Sequence, residues 1–211
     1  MLVNKIYQKY LIPINLQEHM LRVTAVGDII CEHVKTVKVD RNLIIKTLLL
    51  HDMGNIIKYD FSRTELLAEE DKQRVKELKK NREEFIEKYG NDSDKATLAI
   101  MEELNLDKKI ITLCENSHGE HSDQFTDSDD WERKIAYYCD MRIGLFGVKD
   151  LKSRFENLMK RNPNEKQKLK LYFQRCLKIE KQIQKVVNID LQSINDEMID
   201  KTMEDLKRTE I

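Results

Sequence analysis

Apolar residues recur along most of this chain at helical spacing, and the elements they predict are helices. The first clear stripe follows Pro13: Leu16, Met20, Val23, Val26 and Ile30 share a face, and His19 lies on it. Asn15, with Glu18 three residues on, has the form of a capping box and predicts the helix start there. After Asp40 the run LIIKTLLLHDMG is so nearly apolar that it predicts a buried central helix closing on His51 and Asp52. From Ser62 to about Tyr89 a long charged amphipathic stretch predicts one or two surface helices, ended by Gly90. Shorter helices are predicted from Asp94 to about Leu104 and from Asp107 to about Asn116. HGEHSDQFTDSDD reads as a polar loop, after which Asp130 caps WERKIAYYCDMRIG. In that helix Ile135, Tyr138 and Arg142 fall on one side, with Asp140 beside them.

Beyond Gly147 the pattern changes to two lysine-rich amphipathic helices, the second opening at Asn162-Pro163. SINDEMIDKTMEDLKRTEI predicts a last one. The expected division is a main helical domain over 1–148 and a helical appendage over 149–211, packed on the domain or mediating a homodimer contact. The appendage contains no histidine.

Composition supports this reading. With 6 Gly and 2 Pro in 211 residues, the punctuation that a sandwich or barrel requires is missing. The expected fold is all-α: a compact multi-helix bundle with a C-terminal helical extension. A net charge of −1 argues against bulk nucleic-acid or membrane binding while leaving room for a local basic patch. MLVNKIYQKYLIP lacks the apolar core of a signal peptide, and no stretch is long enough to span a bilayer. Four cysteines without a C-x-x-C pair suggest reduced thiols and a cytoplasmic protein.

The chemistry sits with the histidines. A His followed by an acid is expected about once by chance in this composition, so His51-Asp52 carries weight only through its setting. It closes the most apolar segment of the chain, where an unpaired carboxylate is costly. His19 and Asp140 lie on the inner faces of two other helices. Helices that each present a nitrogen or oxygen ligand inward are a common way to build a metal site. The quartet His19, His51, Asp52 and Asp140 suits manganese, iron, cobalt, nickel, magnesium or zinc, with open positions left for water. Against this, a lone histidine on an apolar face is more often a hydrogen-bonded core residue, and Asp140 would equally be satisfied by Arg22 or Arg142.

EHMLRV, LLLHDMG and YYCDMRIG, in that order, resemble the H…HD…D signature of the HD-domain superfamily of metal-dependent phosphohydrolases. The resemblance covers about Leu16 to Gly147. It implies an all-helical domain that hydrolyses a phosphate ester or anhydride, often on a nucleotide. It further implies that His19, His51, Asp52 and Asp140 bind one principal divalent metal, with Asp52 orienting or deprotonating the attacking water. Arg22 and Arg142 resemble positions that steady phosphate or buttress the ligands. Where relatives read H-D-x-G-K this chain has Asn55, which leaves Lys58, one turn on, as the substitute cation.

Two-metal relatives carry extra histidines. One position falls at Asn91, Asp92 and Asp94, and the other near His118 or His121, so a second site is incomplete. His118 is the better candidate and would also serve as a general acid to the leaving group. His33 reads as a surface residue. The expected substrate is a small phosphorylated molecule. The alternatives are an HD-type di-iron oxygenase, which needs more histidines, and a regulatory module with a structural metal that binds protein or RNA.

Overall fold

A computed structural model describes every residue except Phe146. Twelve α-helices lie among the described residues, with one two-stranded hairpin. The chain opens on α1 (Val3–Lys9), not anticipated from the sequence, which buries Val3, Ile6 and Tyr7. The Tyr7 hydroxyl donates to the Leu49 carbonyl at 2.6 Å. Backbone bonds from Val3 N to Thr209 O and from Ile211 N to Met1 O tie the two chain ends together.

The central element is α2 (Ile14–His33), with buried residues all along its length and on most of its circumference. It contacts α3 (Arg41–Leu48), α9 (Trp131–Arg142) and α12 (Asp196–Leu206). Two expectations change here. Asn15 does not cap α2: its side-chain amide donates to the Leu66 carbonyl, and Pro13 stands at the N-cap. A tertiary acceptor has outcompeted the local one. The LIIKTLLLHDMG segment is not one helix either. α3 ends at Leu48, residues 49–52 form a turn, and a 3₁₀ helix runs over Met53–Lys58.

Gly54 fixes that turn. A Cβ at Gly54 would lie 2.1 Å from the Ser93 carbonyl oxygen and 2.8 Å from Thr97 N, so only glycine allows this approach. The Gly54 amide donates to Thr97 Oγ1 at 2.9 Å. The backbone just after His51 and Asp52 is thereby locked onto α6 (Ser93–Glu103).

The charged stretch resolves into a 3₁₀ turn, a short α4 (Glu69–Gln73) and α5 (Val75–Tyr89), which ends at Gly90. α6 and α7 (Lys108–Asn116) fall where the spacing predicts them, capped by Asp92 and Asp107. Asp130 caps α9 by accepting from Arg133 N. The segment expected as a polar loop is largely helical: a 3₁₀ turn at Gly119–His121 and α8 (Ser122–Thr126). Its single large apolar residue, Phe125, is fully buried and meets Tyr137 edge-on at 5.7 Å.

After α9 the hairpin β1 (Ile143–Gly144) and β2 (Gly147–Val148) leads to α10 (Leu151–Arg161) and α11 (Lys166–Val186). α10 packs on α9 and α11, α11 on α8 and α9, and α12 along α2. No helix among the described residues is long and apolar enough to cross a membrane.

Candidate metal centre

His19 comes from the second turn of α2, His51 and Asp52 from the turn after α3, and Asp140 from the last turns of α9. Consecutive side chains on a helix diverge by roughly 100°. The break at Leu48 relieves that constraint and lets His51 and Asp52 face the same point. His19 Nε2 lies 3.3 Å from Asp52 Oδ2 and 3.3 Å from Asp140 Oδ1. His51 Nε2 lies 3.8 Å from each of the same two oxygens. The ligand atoms of His19, His51 and Asp140 all fall within 4.8 Å of one another.

His51 shows what this cluster is built to hold. Its Nδ1 is 2.7 Å from the Leu48 carbonyl, which can only accept, so Nδ1 carries the proton. Nε2 is buried without a hydrogen-bond partner and points between two carboxylates that are too far away to accept a hydrogen bond. Ligands about 2.1 Å from an ion stand about 3 Å apart when adjacent and about 4 Å apart when opposite. The observed spacings of 3.3 and 3.8 Å are of that size. The residues present therefore fit a divalent cation.

Charge coupling is strong here. Burial pulls the His19 imidazole down, but hydrogen bonds to Asp140 and Asp52 outweigh it and raise the group to about 9. His51 is also raised, against its burial, by the charges of Asp52 and Asp140. Burial pushes both aspartates up, but the two imidazoles dominate and hold them below the ordinary carboxylate range. In the metal-free protein the His19 contribution to stability is fully present below about pH 6.5 and lost as pH rises through about 9. A cation must displace that proton to bind. Metal affinity should thus climb by up to about tenfold per pH unit between pH 6.5 and 9. Calorimetry in two buffers of different ionisation enthalpy should detect the released proton, and binding at pH 7 without proton release would contradict this protonation state.

Other predicted residues lie elsewhere. Arg142 is only 2% exposed, and its guanidinium is committed to the Lys149, Leu191 and Ile194 carbonyls and the Tyr138 hydroxyl. It ties the C-terminal segment to α9 and has no free donor face for a substrate. Lys58 is exposed and pairs with Asp94 at 3.8 Å. Arg22 pairs with Glu18 at 2.9 Å. His118 precedes the Gly119–His121 turn and is outside the group of close ligand atoms, and His121 contacts Gln124. Asp92 caps α6. His33 is half-buried rather than a surface residue, with Nδ1 on the Ile29 carbonyl.

Arg154, in the segment without histidines, is not among the residues that the sequence singles out. Its Nε is buried, and Asp140 and Asp52 act on its charge. The available signal was its place between Leu151 and Phe155 on the apolar stripe of α10.

No curated protein and no solved structure matches the chain at a significant level. The family model described as HD domain matches residues 16–172. That span takes in all four residues around the centre, and it continues past the hairpin through α10 into α11. The chain belongs to the HD domain family.

Proposed function

We propose that this protein is a metal-dependent phosphohydrolase acting on a small phosphorylated molecule, with a nucleotide as the expected class. HD domain proteins are generally metal-dependent phosphohydrolases. The observation that carries the reading is His51 Nε2, a buried ring nitrogen without a hydrogen-bond partner, facing two carboxylates and a second imidazole. A divalent cation held by His19, His51, Asp52 and Asp140 would supply a Lewis acid and a water of lowered pKa.

The remaining work falls to the chain. His19 spans Asp52 and Asp140 and holds the α2, α3 and α9 contributions in register. The Leu48 carbonyl fixes the His51 tautomer and ring plane. Asp52 is held below the usual carboxylate range, which makes it a poor proton acceptor and assigns it to orienting water by charge. The di-iron oxygenase alternative needs further histidines, and the close cluster among the described residues contains two. All four cysteines are buried and free, which supports placement in a reducing compartment, the cytoplasm.

Phosphate release should be measured with nucleoside monophosphates, cyclic nucleotides, dinucleotides and sugar phosphates, with Mn²⁺ and after chelation. Turnover of at least one class, lost on chelation and restored by Mn²⁺, is the expected result. Metal-loaded protein that turns over none of them would sink the proposal.

A further inference from the structure

A phosphoryl group seated at this centre brings negative charge next to two carboxylates and needs cationic donors beside the metal. Arg142 is committed to backbone carbonyls, Lys58 to Asp94, and Arg22 to Glu18. Arg154 is differently placed. It lies in the first turns of α10, between buried Leu151 and buried Phe155, on the stripe with which that helix packs against α9 and α11. An arginine on such a stripe ordinarily extends its head to water or pairs with a carboxylate. Here Nε is sealed from solvent and has no hydrogen-bond partner among the described residues. A buried donor with no acceptor needs an explanation, and an anion from outside the chain is one.

The surroundings identify that anion. Burial disfavours the charged guanidinium, while Asp140 and Asp52, two acids of the metal centre, act to retain it. Arg154 bonds to neither of them, its Nε has no partner, and its helix packs on α9, the helix that carries Asp140. A planar fork of N–H groups beside a divalent cation is the donor set that grips a tetrahedral phosphate oxyanion. Arg161, two turns along the same helix and exposed, is the next cation on that side.

We infer that Arg154, carried into the centre by the C-terminal helical segment, is the residue that binds the substrate's phosphoryl group. The inference rests on the phosphohydrolase reading for the identity of the substrate. It gives α10 a direct part in the active site.

The test compares wild type, Arg154→Met and Arg154→Lys, all metal-loaded, with inorganic phosphate as the probe. Calorimetry should show phosphate bound by wild type and weakened about 10- to 100-fold in Arg154→Met, with metal stoichiometry unchanged. Arg154→Lys keeps the charge without the fork and should lose about tenfold. It also covers the case in which the methionine variant does not fold. Removing a half-buried charge whose Nε has no partner should leave thermal stability equal or higher. A drop in stability with phosphate affinity intact would mean a structural arginine and would overturn the inference. Phosphate-ester turnover undiminished in both variants would overturn it too, and would leave the hydrolase reading standing. Phosphate held through Arg154 by a wild type that hydrolyses no ester would sink the hydrolase reading and leave this site in place.

Discussion

His51→Ala is expected to abolish stoichiometric metal binding and to lower phosphate release about a thousandfold or more. The His51 ring is fixed from behind by the Leu48 carbonyl, and its Nε2 has no partner within the protein. Removing it takes away one of two nitrogen ligands and leaves His19 to close with Asp52 and Asp140 as a plain ion-paired cluster, 3.3 Å from each. A Lewis acid contributes several kcal/mol to a phosphoryl-transfer barrier, and each 1.36 kcal/mol is tenfold in rate. Circular dichroism and metal content on the same sample separate loss of the ion from loss of the fold. A folded His51→Ala protein with full metal content and activity would show that the cluster is not the metal site.

Arg142→Met should cost about 3–5 kcal/mol of stability, because it breaks a buried network and strands its acceptors. The guanidinium bonds the Lys149, Leu191 and Ile194 carbonyls and the Tyr138 hydroxyl at 2.6 to 3.2 Å. Tyr138 in turn donates to Glu180 at 2.9 Å, so the network joins α9, the hairpin, α11 and the segment before α12. Methionine keeps the apolar stem and supplies no donor. For a chain of this size the loss corresponds to a fall of about 10 °C in the unfolding midpoint. A midpoint within about 2 °C of wild type would mean that water replaces the arginine at little cost. Arg142 touches none of the metal-centre side chains, so the folded fraction should still bind metal in full.

Much of this arrangement was legible in the chain. The order His19, His51-Asp52, Asp140 identified three converging segments, because polar groups in the most apolar stretches need compensation. Aspartate caps at Asp107 and Asp130 placed α7 and α9 to within a residue or so. What stayed hidden has particular physical causes. The run from Leu43 to Leu50 is apolar but for Lys46 and Thr47, so no change of period marks the break at Leu48 that brings His51 and Asp52 to one point. α8 is a single buried turn anchored by Phe125 within a polar stretch, too short to show periodicity. Asn15 found its acceptor at Leu66, far along the chain. The two arginines exchanged parts for a related reason. Arg142 sits two residues from Asp140 in sequence but is committed to backbone carbonyls, whereas Arg154, on whose charge Asp140 and Asp52 act, lies on a helix that spacing alone assigns to an appendage.

The most direct test is to titrate metal-free protein with Mn²⁺ while following phosphate release. Activity should rise from baseline and level off at about one ion per chain, with His19→Ala and Asp140→Ala remaining at baseline throughout. Activity that is already full before any Mn²⁺ is added, or that rises equally in those variants, would contradict the assignment of the metal to this centre.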